Sequence, residues 1–235
     1  MAKVFVPLDF PSAGPALAMA RKLLPLNPCF KVGLELYVAE GPKVISELKA
    51  LGAEIFLDLK FHDIPNTVAG AVRSATRLGV SYLNIHCGGG SEMIRAAVEA
   101  CASEAGNAGV DKPALLGVTV LTSLDDKSVQ EIGFPRSASA QVKHFVELAK
   151  DCGLDGVVCS AEELPLVKSL AGKGFVAMVP GIRPLGAAAG DQKRVMTPSE
   201  AVKAGADCLV VGRPITGAAD PAAALAAVLA EVAGA

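Results

Sequence analysis

Eight short apolar runs alternate with segments of helical periodicity along the 235-residue chain. The runs contain few polar residues, which is typical of parallel strands that are buried on both faces. The predicted strands span residues 4–9, 30–33, 55–60, 82–86, 115–121, 156–159, 176–180 and 208–211. The predicted helices span residues 16–24, 41–51, 68–78, 92–104, 140–152, 162–170, 198–204 and 221–232. This alternation predicts an α/β fold, a (β/α)8 TIM barrel, with residues 1–235 as a single domain.

The residues that flank the predicted helices support this alternation. Glycine, which readily adopts the backbone conformation that ends a helix, directly follows four of the helices, as Gly52, Gly79, Gly153 and Gly205. Ser91 and Thr197 precede helices as N-cap residues, with Pro198 at the first helical position. The main alternative is an open doubly wound sheet, which usually has a glycine-rich turn after its first strand. Residues 8–12 contain no glycine, and the three glycines at 88–90 lack the required spacing.

Composition and charge argue against several functional classes. The net charge of −2 lacks the basic excess of a nucleic-acid-binding protein. No apolar run is as long as a membrane span, and the first predicted strand begins too early to leave room for a signal peptide. None of the six cysteines forms a CxxC pair, and several lie in apolar runs, so we expect buried structural thiols in a reducing compartment. The expected location is the cytoplasm.

The most informative group of ionisable residues lies at the end of the third predicted strand. Residues 58–63 read Asp-Leu-Lys-Phe-His-Asp and follow an apolar stretch. Regular strand alternation places Phe56, Asp58 and Lys60 on one face. Burying such charges is costly unless they are paired or used in chemistry. The group, which ends with Asp63, therefore suggests a catalytic site.

Other polar residues lie at or near the carboxyl ends of the predicted strands, which form the active-site face of a barrel. They include Asp9, Lys31, His86, Thr122 and Ser123. Lys31 lies inside an apolar strand and requires a partner, for which Asp58 or Asp63 would serve. Two alternatives remain open from sequence alone, since Asp9 could cap a helix and His86 could be a core histidine.

The loops after the last two strands carry glycine next to arginine. Gly181 precedes Arg183 by two residues, and Gly212 directly precedes Arg213. Barrels commonly bind phosphate in these loops, where glycine admits the anion and arginine donates two hydrogen bonds. Solvated surface arginines are the alternative. The segment 185–196 between the loops is rich in small residues and includes Gln192, so we expect a lid that reaches the phosphate.

These motifs, in this order, resemble orotidine 5′-phosphate decarboxylases of the bacterial type. The strongest match is the run of residues 58–67, Asp-Leu-Lys-Phe-His-Asp-Ile-Pro-Asn-Thr. The other matching segments are residues 30–33 (Phe-Lys-Val-Gly), 120–123 (Val-Leu-Thr-Ser), 180–184 (Pro-Gly-Ile-Arg-Pro), 190–194 (Gly-Asp-Gln-Lys-Arg) and 211–215 (Val-Gly-Arg-Pro-Ile). The resemblance extends over the whole chain.

The resemblance implies decarboxylation of orotidine 5′-monophosphate to uridine 5′-monophosphate, without a metal or cofactor. It implies that Lys60 protonates C6 within a charge network of Lys31, Asp58 and Asp63. It also implies a homodimer with shared sites, in which Asp63 and Thr67 come from the other subunit. The resemblance also implies which residues contact the substrate. Asp9 and Lys31 would contact the ribose, and Thr122 and Ser123, beside Pro180, would contact the pyrimidine. The phosphate would be held by Arg183, Gln192, Gly212 and Arg213.

Three other functions are compatible with parts of the pattern. A related barrel enzyme could act on sugar phosphates with Mg2+ held by Asp58 and Glu35. A Schiff-base aldolase could use Lys31 or Lys60, although an ammonium paired with aspartate is a poor nucleophile. A non-catalytic binder of phosphoribosyl ligands would leave the buried charges without a use. The motif order favours the nucleotide decarboxylase.

Overall fold

Eight parallel strands form a closed barrel in the computed structural model, which describes residues 2–184 and 196–235. Each strand pairs with the next along the chain, and the last pairs with the first. The strands are β1 Lys3–Pro7, β2 Cys29–Val32, β3 Ile55–Phe61, β4 Tyr82–His86, β5 Ala114–Val118, β6 Gly156–Val158, β7 Val176–Val179 and β8 Cys208–Val210. All eight predicted strands and the barrel are confirmed. Most of the strands end before their predicted last residue, so several polar residues lie in the loops beyond them.

Helices follow the strands and pack around the barrel. They are α1 Ala13–Leu23, α2 Leu34–Glu40, α3 Lys43–Ala50, α4 Pro65–Arg77, α5 Gly90–Ala108, α6 Asp126–Glu131, α7 Ala138–Asp151, α8 Leu164–Ala171, α9 Pro198–Lys203, α10 Arg213–Thr216 and α11 Pro221–Ala233. The eight predicted helices are confirmed with shifted ends. Helices α2, α6 and α10 were not predicted, because an element of four to seven residues is too short to show helical periodicity.

The helix-end signals are confirmed with one exception. The four glycines have positive φ angles, 83° at Gly52, 65° at Gly79, 84° at Gly153 and 104° at Gly205. Thr197 caps α9, and its side chain accepts a hydrogen bond from the backbone N–H of Glu200. The N-cap prediction for Ser91 is wrong. A 3-10 turn at Cys87–Gly89 leads directly into α5, so the helix begins at Gly90 and Ser91 lies within it.

Two apolar clusters lie on opposite faces of the sheet. The outer cluster packs the strands against the helices, and it includes Ile55 and Leu57 of β3. The inner cluster fills the barrel with Phe5, Cys29, Phe56, Leu116, Met178, Cys208 and Val210. Side chains alternate faces along a strand, so the inward residue two places after Phe56 is Asp58, and the one two places after Cys29 is Lys31. The inner cluster therefore places these charges above it, toward the carboxyl ends of the strands.

Strand β3 departs from regular alternation where it carries its charges. Leu57 pairs with Leu83, but the next pair joins Phe61 to Ile85, so four steps on β3 match two on β4. Lys60 lies in this bulge with a positive φ of 51°, which a residue with a side chain rarely adopts. Phe56, Asp58 and Lys60 nevertheless line one cavity, so the prediction that they share a face is confirmed, but Lys60 reaches that face through the bulge rather than through regular alternation.

All six cysteines lie in the described part of the chain, and all are buried as free thiols. Burial raises the pKa of Cys29, Cys87 and Cys208 to about 12, which keeps these thiols protonated and unreactive. The expectation of structural thiols is confirmed for these positions. Across residues 2–184 and 196–235, we find no helix that is both long and apolar enough to cross a membrane.

Gly156 provides a test of strand packing in the barrel. A Cβ at this position would lie 2.2 Å from the carbonyl oxygen of Val176 on the paired strand β7. We expect Gly156→Ala to lower the free energy of unfolding by about 1–3 kcal/mol, as overpacking does elsewhere. The matched control is Gly106→Ala in α5, where nothing lies within 4 Å and alanine favours the helix. Urea unfolding measures both, and equal stability of the two variants would contradict this account.

Candidate active site

A cavity of about 340 Å³ opens at the carboxyl ends of the strands. Its polar lining residues come from β2, β3 and the loop after β5, and its walls include apolar residues of β5, β6 and β8. The predicted site residues in this lining are Lys31, Asp58, Lys60, Thr122, Ser123 and Pro180. The barrel thus brings together residues that lie as far apart in sequence as Lys31 and Pro180.

Four side chains of alternating charge form a chain across this end of the barrel. Lys31 Nζ lies 3.0 Å from Asp9 Oδ1 and 3.4 Å from Asp58 Oδ2. Lys60 Nζ lies 2.6 Å from Asp58 Oδ1. The partners of Lys31 are therefore Asp9 and Asp58, and the helix-cap alternative for Asp9 is wrong because Ser12 occupies the N-cap of α1. Each buried charge has an opposite charge beside it.

Asp58 is the most connected member of this chain. Burial acts to raise the pKa of its carboxyl, but the ammonium groups of Lys31 and Lys60 act in the other direction. Hydrogen bonds from Lys60 and Asn84 add to their effect, and the pKa of Asp58 lies below its usual value. The carboxylate is therefore ionised at neutral pH although the residue is buried.

Asn84 belongs to the site but was not predicted from sequence. Its side chain, on the inward face of β4, donates to Asp58 Oδ1 at 2.7 Å and accepts from the backbone N–H of Lys60 at 2.8 Å. Its signal in the sequence is a single amide within the apolar run Tyr82–His86. A buried polar residue in such a strand indicates a specific hydrogen-bond partner.

Gly33 is a second site residue that sequence reasoning missed. It follows β2, and a Cβ there would lie 2.6 Å from Lys31 Nζ and 3.1 Å from Asp9 Oδ1. Only the absence of a side chain leaves room for the pair between Lys31 and Asp9. Its signal is the position of the glycine, two residues after the buried lysine on the same face of the strand.

Asp63 and Thr67 lie apart from the charge chain of their own barrel. Both are exposed, and Asp63 Oδ1 accepts a hydrogen bond from the backbone N–H of Ile64 at 2.6 Å. The ion pairs of Lys31 within the described residues are to Asp9 and Asp58, so the option of Asp63 as its partner is wrong for a single chain. The short loop of residues 62–64 leads the chain outward before α4 begins at Pro65.

A second cavity, of about 400 Å³, adjoins the first and shares Lys31 and Pro180 with it. It lies over β7 and β8, and its lining includes Gly181, Arg183, Gly212 and Arg213. Arg183 is buried, which argues against a solvated surface residue, whereas Arg213 is exposed. Burial and the neighbouring Arg213 both lower the pKa of Arg183. Two guanidinium groups beside one cavity favour an anionic ligand.

The absence of a side chain at Gly212 leaves space at one edge of this second cavity. The residue ends the loop after β8 and precedes α10, and a Cβ there would lie 3.1 Å from Cγ of Pro7.

Gln192 and nearly all of the predicted lid lie outside the described residues. Met196, the last residue of that segment, pairs with Ile182 and accepts a hydrogen bond from the backbone N–H of Arg183 at 3.0 Å.

His86 ends β4 next to the charge chain. It is only partly buried, and its ring centroid lies 5.4 Å from that of His62. Burial, His62 and Lys60 lower the pKa of His86, which favours a neutral imidazole at physiological pH. Both histidines line a third, smaller cavity rather than the one that holds Lys60.

The closed barrel and the lysine–aspartate chain at its carboxyl end define the class as a (β/α)8-barrel enzyme. The family model described as orotidine 5′-phosphate decarboxylase / HUMPS family matches residues 2–228. The chain belongs to this family.

Similar proteins cover nearly the whole chain. A protein of Alkalilimnicola ehrlichii named orotidine 5′-phosphate decarboxylase is 53% identical over 224 residues, which are 95% of this chain and 93% of that protein. A protein of the same name from Halorhodospira halophila is 50% identical over 233 residues, 99% of this chain and 97% of that one. The crystal structure of orotidine 5′-phosphate decarboxylase from Lactobacillus acidophilus matches with a TM-score of 0.87 at 36% identity, covering 99% of each chain.

The lowered pKa of Asp58 predicts a pH-dependent contribution to stability. A carboxyl with a lower pKa in the folded state stabilises the fold above the unfolded-state value, about 3.9, and loses this effect as the pH falls through the folded-state value. We therefore expect wild type to lose more free energy of unfolding below about pH 4 than Asp58→Asn does. Urea unfolding over a pH series measures the difference between the two proteins, and a difference independent of pH would contradict the prediction.

Proposed function

We propose that this chain decarboxylates orotidine 5′-monophosphate to uridine 5′-monophosphate and CO2, the last step of de novo synthesis of that nucleotide. The observation that carries the proposal is the chain of alternating charge from Asp9 to Lys60, set beside a cavity with two arginines. Membership of the family and the names of the relatives support the same substrate.

The chemical difficulty is the electron pair that remains at C6. When the bond from C6 to the carboxylate breaks and CO2 leaves, the pair occupies an sp2 orbital that ring resonance cannot delocalise. We propose that the Lys60 ammonium stabilises this charge electrostatically and then donates a proton to C6. The neutral amine regains its proton from water. One group thus acts as stabiliser and acid, and the proposal requires no metal or cofactor.

In this proposal Asp58 holds both lysines in place. Its carboxylate lies 2.6 Å from Lys60 Nζ and 3.4 Å from Lys31 Nζ, so one residue holds both ammonium groups. A carboxylate at this position would also lie close to the leaving carboxylate of the substrate. Repulsion between them would be relieved as CO2 departs, which adds to the driving force.

The remaining contacts would position the nucleotide rather than react with it. We assign the ribose to Asp9 and Lys31, the pyrimidine to Thr122, Ser123 and Pro180, and the phosphate to Arg183, Gln192, Gly212 and Arg213. Enzymes lower barriers by roughly 8–23 kcal/mol, which one ammonium does not supply alone. Binding energy from the phosphate and ribose would therefore be used to orient the base against Lys60.

We further propose a homodimer in which Asp63 and Thr67 complete the site of the partner subunit. Both residues are exposed, and so are several large apolar side chains, with Leu34 exposed by 55%, Ile64 by 66% and Val38 by 79%. Such exposure favours coverage by another protein surface. Because Ile64 directly follows Asp63 in the chain, a second copy that covers Ile64 would meet both residues.

The metal-dependent alternative is less well supported. The Asp58 oxygens already contact Lys31, Lys60 and Asn84, and two ammonium groups repel a divalent cation. Glu35, the other suggested ligand, lies exposed on α2. Among residues 2–184 and 196–235, no group of three or more acidic, histidine or cysteine side chains is placed to hold a metal ion.

The direct test is a decarboxylation assay with purified protein. We expect the absorbance of orotidine 5′-monophosphate to be lost in excess chelator at the rate seen without it. Absence of turnover would refute the proposed substrate, and loss of turnover only in chelator would favour the metal-dependent reaction.

Replacing Lys60 tests the role of its ammonium group. We expect Lys60→Ala to lose nearly all activity while it keeps the fold, because both charge stabilisation and the proton donor are removed. Single-turnover kinetics and circular dichroism measure the two effects. The matched control is Lys173→Ala, which removes an exposed lysine from the loop before β7. Appreciable decarboxylation by Lys60→Ala would exclude the assigned role.

Replacing Arg213 tests whether phosphate binding contributes to turnover. We expect Arg213→Ala to reduce kcat/KM by a factor equivalent to about 2–4 kcal/mol, as for the loss of charge-assisted hydrogen bonds. The control is Arg21→Ala, an exposed arginine near the end of α1. An unchanged kcat/KM for Arg213→Ala would contradict a phosphate contact there.

Mixed dimers test the sharing of sites between subunits. A dimer of one Lys60→Ala subunit and one Asp63→Ala subunit has one site with both defects and one site with neither. We therefore expect two inactive variants to recover up to about a quarter of the wild-type sites when they are unfolded and refolded together. If each site were complete within one chain, mixing would restore no activity.

A further inference from the structure

The buried side-chain amide of Asn84 is linked to Lys60 at both ends, directly at the backbone N–H and through Asp58 at the ammonium group. The residue is 1% exposed on β4. Its carbonyl oxygen accepts from the Lys60 backbone N–H at 2.8 Å, and its amide nitrogen donates to Asp58 Oδ1 at 2.7 Å. The same Asp58 oxygen lies 2.6 Å from Lys60 Nζ. Through its backbone N–H and its ammonium group, Lys60 thus closes a ring with Asn84 and Asp58 that fixes both the start and the tip of the Lys60 side chain.

The bulge in β3 explains why this ring is needed. Between the pairs Leu57–Leu83 and Phe61–Ile85, β3 has two more residues than β4, so its backbone groups there cannot follow the regular ladder. Asn84 is the β4 residue opposite this bulge. Its side-chain oxygen takes the place that a β4 carbonyl has in an unbroken ladder, and it satisfies the N–H of Lys60 at the strained φ of 51°.

The orientation of the amide follows from its two partners. The backbone N–H of Lys60 donates only, and the ionised carboxylate of Asp58 accepts only. A flipped amide would place its oxygen against the carboxylate and its nitrogen against the N–H, and both contacts would be repulsive. Asparagine at this position therefore recognises one arrangement of Lys60 and Asp58 and opposes others.

We propose that Asn84 is a positioning residue for the decarboxylation, which holds the Lys60 ammonium at C6 by bonding the Lys60 backbone and the Asp58 carboxylate together. The inference rests on the proposed function and adds to it a residue outside the charge chain. Asn84 does not line the cavity that contains Lys60, so it acts through Lys60 and Asp58 rather than on the substrate.

Two variants of similar size separate the two hydrogen bonds. Asn84→Leu removes both, and Asn84→Asp keeps an acceptor for the Lys60 N–H but places a carboxyl against Asp58. We expect each to lower kcat on the order of 100-fold, as for a small misplacement of a reacting group, with little change in KM. If the leucine variant does not fold, the isosteric Asn84→Asp carries the test.

The pH profile distinguishes positioning from general support of the fold. The carboxyl introduced by Asn84→Asp would face two charged residues of β3, Asp58 and Lys60. His86 lies on its own strand β4, and Lys31 lies on the far side of Asp58. Two adjacent carboxyls share a proton at low pH, and the protonated group can donate as the amide does. We therefore expect the kcat of Asn84→Asp relative to wild type to fall as the pH rises, and that of Asn84→Leu to show no such trend.

The matched control is Ile85→Val, the next residue of β4, whose side chain is buried on the outer face. It weakens packing of the same strand without touching Lys60, and we expect its kcat per folded site to match wild type. Three outcomes would each overturn the inference. They are a wild-type kcat in both Asn84 variants, a relative kcat of Asn84→Asp that does not change with pH, and a loss of kcat in Ile85→Val as large as that in the Asn84 variants. Failure of wild type to decarboxylate the nucleotide would instead refute the proposed function.

Discussion

The site depends on the carboxylate of Asp58, which lies between two ammonium groups. Without it, Lys31 would keep only Asp9 as an ion-pair partner among the described residues and Lys60 would lose the carboxylate that lies 2.6 Å from its ammonium, and leaving a charge in such a site without its partner is costly. With it, each lysine has an opposite charge within 3.4 Å. The lysines also explain why the pKa of Asp58 is lowered although its burial acts to raise it. Lys60, which supplies the cation at C6 in the proposed reaction, is thus held by a neighbouring carboxylate.

The fold supplies the space and the support for this arrangement. Apolar side chains such as Phe5 and Phe56 fill the barrel interior below, so the charges are confined to its carboxyl end. Gly33 leaves room for the pair between Lys31 and Asp9. On the other side, the bulge in β3 directs Lys60 toward Asp58, and Asn84 satisfies the backbone there.

The sequence predicted the features that repeat along the chain and missed those that depend on pairing between strands. Apolar runs and capping glycines identified the eight strands and most helices, and the motif from Asp58 to Thr67 identified the charged strand end. The register shift opposite Asn84 is a property of two strands, and the space left by Gly33 depends on Asp9, which is 24 residues away in the chain. Neither the register shift nor the space at Gly33 can be predicted from the local pattern of apolar residues. Ser91 was misjudged because a 3-10 turn supplies the start of α5.

The bulge also connects the two halves of the proposed dimer. Lys60 turns into its own barrel, whereas Asp63, only three positions later in the chain, is exposed. The left-handed backbone at Lys60 is therefore also where the chain turns outward toward the exposed Ile64. If Asn84 fixes this backbone, it sets both the position of the acid in one site and the point from which Asp63 extends to the other. Under the proposed dimer, an error in the bulge would then misplace a charge in each of the two sites.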